Sequence, residues 1–300
     1  MRTPGQIAVI VNASAGNGCT TEWADNLAEK FRAGGLDARV TLARSGDEII
    51  ETARRAVAGN FETVVAGGGD GTVSAVASVL IGTNIALGVL PLGTLNHFAK
   101  DLNIPLDIDE AIANVVASHK VRVDASEVND RTFLNNSSLG IYPDIVRDRE
   151  KQQRRLGRGK WFAFFWASLM ALRRFPFLDV RLSLNNRERR RRTPFVFIGN
   201  NEYLMEGFDI GKRERLTGGR LSLYVAQRPG RLGLLLLAVR ALMGQLREVK
   251  DFDVLVAKEI LIETRHKRIR VATDGEVTVM NTPLRYRILP GALTVIVPAQ

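Results

Sequence analysis

The chain is poor in cysteine: Cys19 stands alone among 300 residues. No internal disulfide can form, and nothing argues for an oxidising compartment. Cys19 reads as a helix-start residue rather than a nucleophile. Histidine is nearly as scarce. His97, His119 and His266 lie far apart and lack the spacing of zinc ligands. Long apolar runs are also missing. The two longest, 161–172 and 232–246, contain polar or small residues and fall short of the ~20 residues that a membrane span requires. The apolar run at 7–11 is too short for the h-region of a secretory leader and reads as a strand. There is no internal repeat and no low-complexity linker. These absences exclude a disulfide scaffold, a zinc module and an integral membrane protein.

What is present is an ordinary globular composition, 45% hydrophobic and 25% charged, long enough for about two domains. Its formal net charge is +10, from 42 basic against 32 acidic residues. That balance favours an anionic partner, whether a lipid surface, a nucleic acid or a phosphorylated substrate.

Strands and helices alternate in the first 120 residues. Strands are expected at 6–11, 38–42, 61–66 and 85–90. Helices are expected from Thr20 or Thr21 to about 31, from an Asp47 cap to about 58, over 73–80, and from Asp107 or Asp109 to about 118. This alternation predicts an α/β domain over 1–120, a parallel sheet with helices on both faces. From 121 to 300 the pattern changes. Strands are expected at 121–128, 132–136, 180–184, 195–199, 221–226, 253–263, 269–272 and 284–297, mostly joined by turns. Two inserted helices are expected at about 144–174 and 230–248. This half reads as a mostly antiparallel β-sandwich.

The most informative stretch runs from Thr63 through Gly67, Gly68, Gly69, Asp70 and Gly71 to Thr72. A β-branched strand end, three glycines and a helix start with Thr72 near its N-cap make an anion site. The glycines let backbone N–H groups approach an oxygen-rich ligand, and the helix dipole favours negative charge there. Asp70 would repel a bare phosphate. It makes sense if a divalent cation or a hydroxyl lies between them. Two further strand ends carry loops of small residues, Asn12-Ala13-Ser14-Ala15-Gly16 and Pro91-Leu92-Gly93-Thr94-Leu95-Asn96. Open α/β sheets bind ligands at those ends.

These three loops, with Asp274-Gly275-Glu276 near the C-terminus, resemble the diacylglycerol kinase catalytic-domain family. That family groups bacterial diacylglycerol, sphingosine and other lipid kinases within a superfamily shared with NAD kinases. The Gly-Gly-Asp-Gly-Thr motif is shared with NAD kinases and phosphofructokinases. The four motifs together, in order over nearly the whole chain, are specific. The resemblance implies ATP-dependent phosphorylation of a hydroxyl on diacylglycerol or a related lipid, between the α/β domain and the β-sandwich. The glycine loop and Thr72 would hold ATP phosphates, and Asn12, Ser14, Gly16, Thr94 and the Asn96 motif would line the nucleotide cleft. Glu276, or its neighbour Asp274, would take the proton from the lipid hydroxyl, Glu276 being preferred because the family's proton acceptor falls there. Asp-Gly is also a common hairpin pair. Magnesium would arrive with ATP, with Asp70 and Asp124 as candidate ligands.

Some positions depart from the family pattern. His97 stands where Asp is common, and Ser74 where Asn is common. The family's structural-magnesium segment corresponds to 217–222, which holds no carboxylate. A structural metal is therefore not expected there.

Two basic stretches remain. Seven Lys and Arg lie within 147–160, followed at once by Trp161, Phe162, Phe164, Phe165 and Trp166. Cations beside rings suit an anionic bilayer surface, although a solvated helix face next to core aromatics has the same composition. Residues 187–192, with five arginines around Glu188, read as an exposed hairpin loop. No nucleic-acid reading module is present. The expectation is a cytoplasmic enzyme, peripheral to the inner face of the membrane, with homodimerisation left open. Competing readings are a soluble-substrate, NAD kinase-like enzyme and a non-catalytic nucleotide or lipid sensor.

Overall fold

The computed structural model describes all residues except 1–4, 17–18, 60, 141–177, 185–186, 205–211, 214, 227–251 and 300. The first half runs β1 (Gly5–Asn12), α1 (Thr21–Ala33), β2 (Leu36–Ala43), α2 (Gly46–Ala58), β3 (Thr63–Gly68), α3 (Asp70–Leu80), β4 (Ala86–Pro91), α4 (His97–Asp101) and α5 (Ile108–Ala117). The strands pair in the order β2-β1-β3-β4, all parallel. Every residue of β3 and β4 is buried. Strands covered on both faces should read as apolar runs, and these do. α2 and α3 pack on one face, with Ile49, Val76 and Leu80. α1 and α5 cover the other, with Leu27, Phe31 and Val115.

Helix starts follow from capping chemistry. Thr20 accepts from the Trp23 N–H and caps α1; the Asp107 side chain accepts from Asp109 and Glu110 and caps α5. Asp47 does not cap α2 as expected. Ser45 does, accepting from the Glu48 N–H at 3.2 Å, and Asp47 sits in the first turn, where the dipole favours a carboxylate. The glycine stretch is also shifted. Gly67 and Gly68 belong to β3, Gly69 is the N-cap of α3, and Thr72 is the helix's third residue. Gly67 continues the strand because it packs against Val11: a Cβ there would lie 2.9 Å from Val11 Cγ2.

The second half comprises β5 (Lys120–Val128), β6 (Arg131–Phe133), β7 (Asn136–Gly140), β8 (Leu178–Leu184), β9 (Arg187–Thr193), β10 (Phe195–Asn200), β11 (Tyr203–Leu204), β12 (Lys212–Arg213), β13 (Leu221–Ala226), β14 (Phe252–Ala257), β15 (Glu259–Thr264), β16 (Arg268–Thr273), β17 (Glu276–Asn281) and β18 (Leu284–Ile296). An antiparallel sheet runs β14-β13-β10-β7-β16-β17. It faces the strands β18, β15 and β8 across a core of Phe133, Leu139, Leu182, Ile198, Leu223, Ile262 and Tyr286. β18 joins the halves: it pairs antiparallel with β5 and β15, while Thr294 and Val295 pair parallel with β4. The parallel sheet thus extends into the sandwich.

Several expected boundaries move. The strand expected at 253–263 is two strands that break at Lys258. The strand expected at 132–136 ends at Phe133, turns at Leu134 and Asn135, and restarts at Asn136. Residues 187–192 form the exposed edge strand β9, paired to β8, rather than a loop. The helices expected near 144–174 and 230–248 fall outside the described residues. No described helix is long and apolar enough to cross a membrane.

Candidate active site

Three loops meet at the C-terminal ends of β1, β3 and β4. The glycine loop and the Pro91 loop lie backbone against backbone. Leu92 N–H donates to Gly68 O at 3.0 Å. A Cβ on Gly93 would lie 2.4 Å from Gly69 Cα, and one on Gly68 would lie 2.3 Å from Thr72 Oγ1. Glycine is therefore required at both positions by close approach. Gly71, in the first turn of α3, has nothing within 4 Å of a built Cβ. Asn12 joins the cluster: its Nδ2 donates to Thr72 Oγ1 at 3.4 Å, and its Oδ1 accepts from Ser14 N–H at 2.9 Å. Gly16 follows in the left-handed region at φ 59°.

Asn96 is buried and folds its own loop. It takes φ 51°, accepts from Gly93 N–H at 3.1 Å, and donates to Pro91 O and Gly93 O at 3.3 and 2.8 Å. Its amide is spent on the turn, which leaves exposed Thr94 at the loop's tip. Asp70 is engaged as well. Its Oδ2 and Oδ1 accept from the His97 and Phe98 N–H groups at 3.2 and 3.1 Å. The carboxylate is thus bound by the first N–H groups of α4.

The Asp274-Gly275 pair is a hairpin turn and part of the site at once. φ is 47° at Asp274 and 88° at Gly275, the signature of a type I′ turn, which closes the Thr273–Glu276 pair between β16 and β17. Asp274 Oδ2 accepts from Ser74 Oγ at 2.7 Å and from Leu134 N–H at 2.8 Å. Its Oδ1 accepts from Asn135 and Asn136 N–H at 2.8 and 3.0 Å. Burial pushes this carboxyl above its usual range, against the pull of those four donors. Four bonds fill the roughly four lone-pair sites a carboxylate offers. Ser74 lies one turn after Asp70 on α3, so its bond to Asp274 brings the glycine loop and the acidic turn together.

Glu276 differs. It is exposed on β17, and one oxygen pairs with Arg131 Nη2 at 2.5 Å. Arg131 Nε also donates to Thr273 Oγ1 at 3.0 Å. Asp124, a candidate metal ligand, is 3% exposed. Its oxygens accept from Gly219 N–H at 2.7 Å and Gly291 N–H at 2.8 Å. It pins the 216–219 loop to the bulge in β18. The 217–222 segment has no carboxylate of its own to offer a structural metal, and Asp124 beside it is buried. Among the described residues no group of three or more His, Cys, Asp or Glu is placed to hold an ion. The glycine cradle fits a nucleotide, and Asp70 keeps lone pairs for a metal carried on its phosphates.

The sequence did not point to Arg131 or to the 134–136 corner. The corner acts through backbone N–H groups, which leave no residue-type signal.

Residues 6–128 match the family described as "Diacylglycerol kinase catalytic domain", and 143–297 match "YegS C-terminal NAD kinase beta sandwich-like domain". A Klebsiella pneumoniae protein named as a YegS-like lipid kinase is 36% identical over 153 residues, half of each chain. A Mycobacterium tuberculosis diacylglycerol kinase is 26% identical over 98% of this chain and 96% of its own. A crystal structure of a Bacillus anthracis diacylglycerol kinase superposes with a TM-score of 0.71 at 22% identity, covering 98% of this chain and 97% of that one. The match spans about half the length of the Klebsiella relative and nearly all of the mycobacterial one. With both halves matched, the chain belongs to the lipid kinase family that joins a diacylglycerol kinase catalytic domain to a YegS-type β-sandwich.

Proposed function

We propose that this protein is an ATP-dependent lipid kinase that transfers the γ-phosphoryl group to a hydroxyl of diacylglycerol or a related lipid. The observation that carries the proposal is the Ser74–Asp274 hydrogen bond, which holds the phosphate-binding helix against the acidic turn. ATP with Mg2+ supplies the phosphoryl group and neutralises its charge. Gly68, Gly69 and Gly93 keep the floor of the cleft bare, so backbone can approach phosphate, and the N-terminus of α3 favours its charge. Asn12, Ser14, Gly16, Gly71, Thr72 and Thr94 would border the cleft, buried Gly67 would shape the strand end beneath it, and Asp70, which holds α4, would hold the metal.

Glu276 accepts the proton of the lipid hydroxyl as the oxygen–phosphorus bond forms. ADP leaves with the bridging oxygen. Asp274, held by four donors, is read as positioning the turn. The lipid would be met at an anionic membrane surface, on the inner face of the cell. The net charge of +10 and the exposed arginines of β9 support that reading.

The test is radiolabelled ATP offered to a lipid panel and to NAD, with products resolved by chromatography. Label in a phospholipid is expected. Label in NADP would favour the soluble-substrate reading. No label in either, with ATP bound, would favour a sensor.

A further inference from the structure

Arg213 lies on β12, outside every motif of the site, yet its side chain is fully buried and Asp101, its acidic partner, is 6% exposed. Desolvating two charges costs more than a simple pair returns unless the remaining donors are satisfied. Here they are. Nε donates to Asp101 Oδ2 at 2.8 Å and the backbone N–H to Asp101 Oδ1 at 3.4 Å. Nη1 donates to Leu134 O and Asn200 O at 2.6 and 3.4 Å, and Nη2 to Asn135 Oδ1 at 2.7 Å. The guanidinium sits over the Tyr203 ring, 5.4 Å from its centroid.

These partners place Arg213 between two parts of the site. Asp101 ends α4, and the first N–H groups of that helix rest on Asp70. A helix of five residues is only about 7.5 Å long. Leu134 and Asn135 offer their N–H groups to Asp274 and their oxygens to Arg213. The corner is gripped from both sides. A ring closes: Asp70 to α4, Asp101 to Arg213, the corner to Asp274, and Ser74 back to α3, which begins at Asp70. Without Arg213, only the Ser74 hydroxyl would still tie the turn to the glycine loop along this ring.

We propose that Arg213, through Asp101, is a positioning residue that fixes the 134–136 corner and so the turn that presents Glu276 to the cleft. This rests on the reading of Glu276 as proton acceptor only for its consequence in catalysis; the clamp itself stands on the hydrogen bonds.

The test uses the full chain with Asp101→Asn and Arg213→Lys, and with Leu182→Ala as a control. Leu182 lies in the sandwich core, away from the ring. Hydrogen exchange is read at the Leu134, Asn135 and Asn136 amides, with Tm measured alongside. Losing a charge-assisted bond should lower their protection about tenfold or more in both ring variants, beyond any global change. In the control, protection should follow global stability alone. In transfer assays, kcat should fall about 10²-fold in the ring variants with KM for ATP little changed, as expected for a misplaced acceptor. Wild-type protection in Asp101→Asn would overturn the clamp. A kcat loss in Leu182→Ala equal to that in the ring variants would reduce Arg213 to a stabilising residue. If Arg213→Lys does not fold, Asp101→Asn decides. If the wild-type protein phosphorylates no lipid while protection still falls as expected, the kinase reading fails and the clamp survives.

Discussion

At the residue scale the two acids of the turn have separated. The sequence placed Asp274 and Glu276 two apart, a spacing that puts side chains on one face of a straight strand. The type I′ turn breaks that geometry: Asp274 faces four donors inward and Glu276 stands out on β17. Substituting each should therefore give different signatures. Glu276→Gln keeps shape and removes the basic oxygen, so turnover should fall about 10²–10⁴-fold. Its Tm should barely change, because an exposed pair with Arg131 contributes little. Asp274→Asn sets an amide N–H against neighbouring donors and should cost about 1–3 kcal/mol of stability. Loss of activity in Asp274→Asn is thus expected even though the proposal assigns the base to Glu276. Steady-state kinetics beside thermal denaturation read both effects. Full activity in Glu276→Gln with an inactive but thermally normal Asp274→Asn would reverse the assignment. Asp274 also carries a pH signature. Its folded pKa lies above the unfolded one, so the folded state binds more protons between those values, and this group's contribution to stability declines as pH rises through that window.

At the element scale, what the sequence could declare depended on periodicity and on local chemistry. The central strands β1, β3 and β4 are apolar runs between glycine-rich loops, and the caps Thr20 and Asp107 are local signals, so these were legible. The close-packed loops after β3 and β4 were legible because glycine at close backbone approach is a residue-type requirement. β9 was not, because an edge strand paired on one side can be arginine throughout without a buried face to mark it. β17, another edge strand, is mostly half-exposed and hid for the same reason. The 134–135 corner looked like strand continuation, because the bonds that hold it come from Asp274, Arg213 and Asn200, about 140, 80 and 65 residues away. The sequence singled out Asp70, but its backbone partners on α4, 27 and 28 residues away, were invisible for the same non-local reason. The β16–β17 hairpin yields an element-level expectation. Gly275 takes φ 88° with nothing within 4 Å of a built Cβ, so Gly275→Ala meets no clash and suffers only backbone strain. The cost should be about 1–2 kcal/mol. Denaturant unfolding should show that loss, and kcat should fall as the turn relaxes and Glu276 shifts. Unchanged kcat with the stability loss present would mean that the turn's shape does not govern the acceptor.

At the scale of the whole molecule, the proposed function would bring a soluble nucleotide and a bilayer-borne hydroxyl together in one cleft, and would call for a face that adsorbs to lipid. The net charge of +10 supplies a general attraction, and β9 concentrates it. Arg189 and Arg190 are exposed, and neither has an ion-pair partner among the described residues. Arg191, by contrast, pairs with Asp253 at 3.5 Å. β9 ends at a corner where Gly140, Leu178 and Pro194 meet, and the chain between Gly140 and Leu178 carries the seven basic residues of 147–160 and the rings after them. A bland alternative is that charge on an edge strand only prevents pairing with another copy. Vesicle sedimentation separates the two. Binding should rise with the anionic lipid fraction and fall with added salt, since surface attraction is screened over ~8 Å at physiological ionic strength. Each arginine near such a surface contributes ~1 kcal/mol, so Arg189→Gln with Arg190→Gln should weaken partitioning about thirtyfold. Phosphoryl transfer to a detergent-dispersed lipid should stay near wild type, because neither residue touches the cleft. Equal binding to neutral and anionic vesicles would remove the electrostatic argument. Wild-type partitioning in a double variant that self-associates would leave the arginines as edge guards and move lipid recruitment elsewhere on the chain.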